Sequence, residues 1–236
     1  MINRRERVRA ATVREIKDVA RRQLVTNGPA AVSLRAIARE MGMTAPALYR
    51  YFPSLDHLVQ SLVTDLFGEV YTAVEDARDL ATDEPGARLL AACRTFRAWA
   101  VGHPAEFALL FGSPVAVTGG DPTPRLDAGG MRFARVFLTL FSDVWQANPF
   151  PTADETDLDP RLVDQLAEYR QRLGSTLPLG ALDVVLSCWM RLYGLVSLEV
   201  FNHIRFALAD AEPFFESQLA EIAQRLGVAE DVPSPV

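Results

Sequence analysis

A tyrosine, an arginine and a second tyrosine stand together at Tyr49, Arg50 and Tyr51, directly after the small residues at 45–47. Arginine donates hydrogen bonds to guanine or phosphate, and tyrosine contacts a phosphate or the methyl group of thymine. The small residues allow a helix to come close to base edges in the major groove. At about 100° per residue, Leu48 turns inward while Tyr49 and Arg50 point outward. The pattern predicts a helix over about 44–51 that reads duplex DNA.

The residues before this helix complete a helix-turn-helix pattern. Apolar residues from Leu34 to Met41 recur at the spacing of one helix face. Gly42 is predicted to end that helix in a left-handed conformation, and Thr44 to cap the next one. Two short helices joined by about three or four residues with a glycine are typical of a helix-turn-helix. An ordinary helical hairpin with a solvated face fits the same pattern, because short matches have many false positives.

The helix-turn-helix interpretation assigns a role to each end of the motif. Ser33 and Arg35, at the start of the first helix, are predicted to anchor phosphates where helix N–H groups also point outward. The full set of predicted DNA contacts is Ser33, Arg35, Thr44, Ala45, Pro46, Ala47, Tyr49, Arg50 and Tyr51.

The charge is distributed unevenly along the chain. Residues 1–60 hold eleven Arg or Lys against five Asp or Glu, a formal charge of +6. The remaining residues hold 13 basic and 25 acidic side chains, a formal charge of −12. A basic end on an otherwise acidic protein indicates a domain that binds a polyanion, which favours the DNA-binding interpretation.

The run SLRAIAREMGMTAPALYRYF and the residues after it, as far as Leu62, resemble the DNA-binding domain of TetR/AcrR-type transcriptional regulators. The resemblance covers roughly residues 10–62. It implies an all-α homodimer with an N-terminal three-helix helix-turn-helix head and a larger C-terminal helical bundle for dimerisation and ligand sensing. Leu55 follows Ser54 where many members carry a lysine that contacts a phosphate, so the sequence departs from the family at that contact. The signature positions that match are Ala38, Gly42, Leu48, Tyr49, Tyr51 and Phe52.

The C-terminal half carries a second, shorter resemblance and many aromatic residues. The segment from Trp189 to Glu199 is similar to a TetR subgroup with a Trp-His-Gly (WHG) signature, although Tyr193 replaces the histidine before Gly194. This resemblance implies only the fold and dimerisation through the last two long helices. Aromatic residues at helical spacing fit either a plain core or a pocket for a mostly apolar ligand. The candidate ligand-binding residues are Phe96, Trp99, Phe107, Phe111, Phe133, Phe137, Trp189 and Tyr193.

Capping residues, prolines and glycines predict how the remaining elements are arranged. Residues 1–11 are expected to form a basic arm, either a solubilising tail or an extra phosphate or minor-groove contact. Thr12 is predicted to cap a helix that ends at Asn27, and Ser54 to cap a long helix that ends near Leu80. Further helices are expected at 85–101, 105–111, 131–147, 161–173, 179–208 and from 212, with a loop at 112–130. The predicted domains are residues 1–54 for DNA binding, 55–230 for sensing and dimerisation, and a disordered tail at 231–236.

Several classes of protein are excluded by what the sequence lacks. No GxSxG, CxxC, HExxH or Gly-rich nucleotide motif occurs, so neither an enzyme nor a cofactor is predicted. His103 has no ligand partner at metal-binding spacing, so no metal site is predicted. Cys93 and Cys188 are expected to be buried free thiols, as in a reducing cytosol. The apolar run at 184–201 contains Arg191, Gly194 and Glu199, so no membrane span is expected.

The sequence therefore predicts a cytoplasmic, ligand-responsive DNA-binding homodimer. It would act as a repressor that binds a near-palindromic operator and is released by an unknown small, mostly apolar molecule. A helical interaction module that uses its basic N-terminal end on an acidic partner is the alternative.

Overall fold

The computed structural model describes residues 3–28, 32–112 and 128–228, and within these residues the chain is helical and has no strand. The first helices are α1 (Arg4–Asn27), α2 (Leu34–Glu40), α3 (Ala45–Tyr49) and α4 (Leu55–Leu80). The next are α5 (Pro85–Gly102), α6 (Pro104–Phe111) and α7 (Ala128–Ala147). A 3-10 turn at Glu155–Asp157 precedes α8 (Pro160–Leu173), α9 (Leu179–Val200) and α10 (Glu212–Arg225). The predicted all-α fold class is confirmed.

The chain divides into two compact units. The first comprises Met1–Glu69 with His103–Gly130, and the second comprises Val70–Gly102 with Met131–Val236. The first unit therefore takes in α6, which is distant in sequence from the helix-turn-helix. The functional boundary between residues 54 and 55 stays a prediction.

The first unit is built on one apolar core that α1, α2, α3 and α4 share. Ile16 from α1, Ile37 from α2, Leu48 from α3 and Leu58 from α4 are each fully buried. Burying a side chain of this size contributes roughly 1.5–3 kcal/mol to folding. The core therefore fixes the position of the five-residue α3, which is too short to be stable alone.

The N-terminal residues differ from the expected arm, because residues 4–11 form the first two turns of α1. Asn3 caps this helix: its side-chain Oδ1 accepts from the N–H of Arg5 at 3.3 Å, and Glu6 accepts from the N–H of Asn3 at 3.0 Å. The predicted cap at Thr12 is wrong, since its hydroxyl lies inside the helix and donates to the Val8 carbonyl. The capping box Asn-x-x-Glu satisfies the free N–H groups nine residues earlier than predicted.

Helix α9 is shorter than predicted and lies at the centre of the second unit. It ends at Val200 rather than near 208, because Asn202 adopts a left-handed φ of 58° and the His203 N–H turns back to the Leu198 carbonyl. Its N-cap is Pro178, and no side chain caps its first turn.

The apolar composition of α9 has a structural explanation. By length and composition α9 would pass for a membrane span, yet half of its most apolar window is buried, and the helix contacts α5, α8 and α10. A core helix that is covered on several sides has this composition.

Arginine–carboxylate pairs join the helices of the second unit. Arg97 on α5 makes two hydrogen bonds of 2.7 Å to Glu199 on α9, and these bonds raise the pKa of the guanidinium above its ordinary value. Arg94 on α5 pairs in the same way with Glu216 on α10. Arg191 on α9 bonds Gln218 and Glu221 on α10. Arg191 and Glu199, the two charged residues within the apolar run of α9, therefore link α9 to α10 and to α5.

The other predicted helices lie within a few residues of their expected bounds. Helix α7 begins at Ala128, three residues before the predicted start, and α8 begins at Pro160. Most of the predicted loop at 112–130 and the whole predicted tail at 231–236 fall outside the described residues.

Candidate nucleic-acid interface

The helix-turn-helix is held by short-range backbone and side-chain hydrogen bonds. Ser33 caps α2, since its hydroxyl oxygen accepts from the Ala36 N–H at 3.2 Å. Gly42 follows with φ at +65°, the left-handed conformation that glycine adopts most readily. The Met43 N–H then donates to the Ala38 carbonyl at 2.8 Å, which closes the end of α2. The predicted glycine turn is therefore confirmed.

Helix α3 presents the face that the sequence predicts. Leu48 and Phe52 are 0% and 6% exposed and point into the core of the first unit. Tyr49 is 46% exposed, and Pro46 and Arg50 are exposed as well. An exposed tyrosine and arginine beside small residues form a surface that fits base edges and phosphates.

Thr44 is the N-cap of α3 by position, but its side chain makes no capping hydrogen bond. A capping side chain needs the N–H of the second or third helical residue. The second residue is Pro46, which has no N–H, and the N–H of Ala47 already donates to the Thr44 carbonyl at 3.0 Å. The predicted side-chain cap is therefore wrong, and the Thr44 hydroxyl lies exposed at the start of α3.

The structure separates the predicted DNA contacts into two groups by exposure. The exposed residues present a larger fraction of their surface to solvent than the half-buried residues do. The exposed group is Arg35, Thr44, Pro46, Tyr49 and Arg50, and the half-buried group is Ser33, Ala45, Ala47 and Tyr51.

Sequence reasoning missed one residue beside α3. The guanidinium carbon of Arg9, on α1, lies 5.2 Å from the centre of the Tyr51 ring. An Nη2 hydrogen of Arg9 also donates to the Arg50 carbonyl at 3.5 Å. Arg9 lies 41 residues before Arg50 in the chain, so helical periodicity could not reveal the contact. The Asn3–Glu6 capping box was the available signal that α1 extends this far.

Charge pairing leaves a set of free arginines in the first unit. Arg22 pairs with Glu40 at 3.0 Å, and Lys17 pairs with Asp65. Within residues 3–28 and 32–112, the remaining arginines of α1, α2 and the α3 end make no ion pair and are exposed. The arginines in this set are Arg4, Arg5, Arg7, Arg9, Arg14, Arg35, Arg39 and Arg50.

Arg21 is paired as well, and it links α1 to two other helices of the first unit. Its Nε donates to Glu106 on α6 at 2.9 Å, and its Nη1 donates to Glu69 on α4 at 2.7 Å. Burial opposes the charge on Arg21, but the two carboxylates outweigh it and raise its pKa. Glu106 is only 4% exposed, and this charge-assisted hydrogen bond offsets part of its desolvation cost.

The start of α4 is capped as predicted. The Ser54 hydroxyl oxygen accepts from the His57 N–H at 3.3 Å, and it lies 2.8 Å from His57 Nδ1. Leu55 follows with 36% of its surface exposed. The first residue of α4 therefore presents an apolar side chain instead of the family's lysine.

Five of the candidate ligand-binding residues form one aromatic cluster in the second unit. Neighbouring ring centres in this cluster lie between 5.2 and 6.2 Å apart, and the members are Phe96, Phe133, Phe137, Trp189 and Tyr193. Trp99 is buried in the same unit. Phe107 and Phe111 belong to the first unit, where the Phe111 ring packs against Phe67 and Phe107.

A small cavity of about 50 Å³ adjoins this cluster between α7, α8 and α9. Phe137 and Trp189 are the two candidate ligand-binding residues that line it, and Phe141, another aromatic residue that the sequence offers for a pocket, lines it as well. The remaining lining residues were not predicted, because each fits an ordinary core in a periodic pattern. They are Ala134, Leu138, Tyr169, Leu182, Val185 and Leu186.

The described part of the chain holds no cluster of metal ligands beside the cavity. There, no three or more His, Cys, Asp or Glu side chains lie together as metal ligands would. Cys93 and Cys188 are buried free thiols, which confirms the prediction.

A glycine-turned helix pair with outward tyrosine and arginine, on a basic unit of an all-α chain, defines a helix-turn-helix DNA-binding protein. A family model described as "Bacterial regulatory proteins, tetR family" matches residues 16–62. A second, described as "Tetracyclin repressor-like, C-terminal domain", matches residues 89–222. The chain belongs to the TetR family of DNA-binding transcriptional regulators and is not an enzyme. The finer likeness to the Trp-His-Gly subgroup stays a prediction.

Relatives extend over most of the chain. HTH-type transcriptional regulator Rv1816 from Mycobacterium tuberculosis (strain H37Rv) is 34% identical over 206 residues, which are 85% of this chain and 86% of that protein. HTH-type transcriptional regulator Mb1846 from Mycobacterium bovis matches to the same extent. The crystal structure of regulatory protein SCO4313 has a TM-score of 0.74 and 30% identity, over 94% of this chain and all of that one. RolR in complex with resorcinol shares the fold at a TM-score of 0.53 and 15% identity, over 98% of this chain and 97% of that one.

Proposed function

We propose that this TetR-family regulator is a repressor that binds a near-palindromic operator as a homodimer and leaves it when a small, mostly apolar ligand binds. The observation that carries the proposal is the exposed Tyr49–Arg50 face of α3, which lies among arginines that have no carboxylate partner in the described residues. Positive charge without a partner inside the chain favours a polyanionic partner.

In the proposed complex, α3 enters the major groove. Arg50 donates to guanine or to a phosphate, and Tyr49 and the exposed edge of Tyr51 contact a phosphate or a thymine methyl. Arg35 and the hydroxyl of Ser33, at the start of α2, bind phosphates of the DNA backbone beside the groove. The remaining predicted contacts, at 44–47, allow the close approach of α3 to the bases.

Dimerisation is proposed through α9 and α10. Met190 is 62% and Leu198 is 43% exposed, and Gly194 lies between them at the same helical spacing. A Cβ added at Gly194 would meet nothing within 4 Å, so this stripe leaves room for a second helix to approach closely. Phe214 on α10 is 40% exposed as well. Apolar side chains exposed in a row on the surface of one chain favour a self-association surface.

The proposed ligand site is the cavity between α7, α8 and α9. Its lining is mostly apolar, and Phe137 and Trp189 supply aromatic faces. A volume of about 50 Å³ is far below the roughly 300–1,000 Å³ of a typical small-molecule site. We therefore propose that the ligand binds a wider conformation and shifts the protein toward it, as differential affinity for two states requires. The cytoplasm is the proposed location, with no membrane partner.

The experiment is footprinting on the DNA beside the protein's own gene, followed by fluorescence-anisotropy titration of the protected site. The proposal predicts a protected near-palindrome and its release by some members of a panel of small aromatic and aliphatic compounds, resorcinol included. Trp189→Ala should change which compounds release the DNA without changing operator affinity in their absence. Binding to random duplexes as tight as to the protected site would contradict the proposal.

A further inference from the structure

The free arginines of α1 are not equivalent, because only some share the face that meets α3. At about 100° per residue, Arg5 and Arg9 fall on the same side of α1 as the buried Ile16 and Ala20. Beyond the end of the core this side carries arginine instead of apolar residues. Arg4, Arg7 and Arg14 fall on the opposite side and point away from the core.

The contacts of Arg9 fix where this side of α1 lies. The guanidinium of Arg9 sits over the Tyr51 ring and donates to the Arg50 carbonyl, so it lies at the C-terminal end of α3. Neither contact neutralises its charge, and the side chain remains exposed. Arg5 lies one helical turn further toward the N-terminus, about 6 Å along the axis at roughly 1.5 Å per residue.

The helix terminus itself is not the binding group here. Asn3 and Glu6 occupy N–H groups of the first turn through the capping box. The available positive groups are the two guanidiniums. Arg5 has no ion-pair partner among residues 3–28 and 32–112, and neither has Arg9.

We propose that Arg5 and Arg9 form a second DNA-contact surface, which binds the phosphate backbone next to the base pairs that α3 reads. This proposal rests on the proposed function and extends its site. Arg9 holds the phosphate nearest to the C-terminal end of α3. Arg5, one turn of α1 away from Arg9, holds a further phosphate of the same backbone. The surface adds affinity without sequence preference, because phosphates are the same at every position.

The test compares two charge-matched double variants in the full-length protein. Arg5→Ala with Arg9→Ala removes the proposed contacts, and Arg4→Ala with Arg7→Ala removes the same charge from the opposite side of the same helix. Alanine preserves the helix, which far-UV circular dichroism verifies. Affinity for the protected operator is measured from 50 to 300 mM KCl, and log K is plotted against log [KCl].

Each phosphate contact contributes about −0.9 to this slope on duplex DNA. We expect the first double variant to flatten the slope by about 1.8 per protomer, and the second to leave it within about 0.5 of wild type. The ratio of operator to random-duplex affinity should stay unchanged in both. Equal flattening by both variants, or by neither, would overturn the proposal.

Two further measurements separate the possible failures. Arg5→Lys with Arg9→Lys keeps the charges and loses the planar stacking on Tyr51, so we expect its slope to match wild type. If the salt slope of the lysine variant is as shallow as that of the alanine variant, Arg9 acts by positioning α3, and the proposal is overturned as well. If wild type itself prefers no site, the proposed function fails; if wild type is specific and the arginine pair has no effect, this inference alone fails.

Discussion

At the residue scale, Arg50 and Arg35 occupy different ends of the helix-turn-helix and have different predicted partners. Arg50, at the end of α3, is proposed to reach guanine or a phosphate, whereas Arg35, at the start of α2, is proposed to hold a phosphate only. If Arg50 reads guanine, Arg50→Ala should weaken operator binding by at least ~1 kcal/mol and relax the preference at one base pair. Arg35→Ala should weaken binding to all duplexes alike and reduce the salt slope by about 1. Titration of each variant against a set of single-base operator mutants measures both. A uniform loss for Arg50→Ala would show that it contacts phosphate only.

The buried thiols give a prediction about alkaline pH. Burial raises the pKa of Cys93 to about 12, above its ordinary value of 9.0. Because the Cys93 thiol has its raised pKa only in the folded state, the free energy of unfolding is unaffected by this thiol below pH 9. It decreases as the pH rises from 9 toward 12, where the thiol ionises in the unfolded state alone. At pH 10 the loss of unfolding free energy from this thiol is on the order of 1 kcal/mol. Urea unfolding of wild type and Cys93→Ala at pH 7–10 measures it. Wild type should lose more stability with pH than the variant, and parallel pH curves would contradict the assignment.

The sequence predicts the direction of single side chains well where a local pattern determines it. The opposite directions of Leu48 and Tyr49 follow from helical periodicity, because neighbouring positions on a helix differ by about 100°. Periodicity does not predict the stacking of Arg9 on Tyr51 or the hydrogen bond from Arg21 to Glu106. Each of these contacts joins residues that are far apart in the chain. The missing Thr44 cap was predictable in part, because Pro46 removes one of the two N–H groups that a capping side chain can use.

At the element scale, Gly42 supplies the left-handed residue in the turn between α2 and α3. Its φ of +65° disfavours any side chain, although a Cβ there would meet nothing within 4 Å. Gly42→Ala should therefore destabilise the protein by about 1 kcal/mol through the backbone alone. Gly68 is the matched control, because it lies inside α4 and a Cβ there also meets nothing within 4 Å. Gly68→Ala should stabilise by roughly 0.5–1 kcal/mol. Thermal unfolding compares them, and shifts of the same sign would contradict the conformational role of Gly42.

The helix bounds show which signals a sequence reveals and which it hides. Ser54, Pro85 and the Gly102–Pro104 break mark helix ends by local chemistry, and the structure agrees within a residue or two. The start of α1 was missed because the basic composition of residues 4–11 resembled a solubilising arm. The end of α9 was overestimated, because the left-handed Asn202 interrupts a pattern that stays apolar beyond it.

At the scale of the whole molecule, the proposed dimer depends on the exposed stripe of α9. Leu198→Arg places a charge in that stripe and should shift the protein from a dimer to a 26.0 kDa monomer. Leu80→Arg is the control, because Leu80 is 87% exposed at the end of α4, outside α9 and α10. Analytical ultracentrifugation over a range of concentrations measures both. A dimeric Leu198→Arg variant, or a monomeric wild type, would contradict the proposed interface.

The division into two units was only partly predictable. Charge and the helix-turn-helix pattern separate a basic N-terminal part from an acidic remainder. That α6 belongs to the first unit and lies against α1 depends on contacts between distant segments, which helical periodicity does not encode. The candidate ligand-binding residues fall into both units for the same reason, since Phe107 and Phe111 lie on α6.

The measurement that bears most directly on DNA reading is a competition binding assay at about 150 mM salt with the footprinted operator and a scrambled duplex of equal length. Wild type should prefer the operator by at least about a thousandfold, with two protomers bound per site. The double variant Tyr49→Ala with Arg50→Ala should lose most of that preference while it keeps its fold by circular dichroism. Equal affinity of wild type for both duplexes, or an unchanged preference in the variant, would show that the outer face of α3 does not read the DNA.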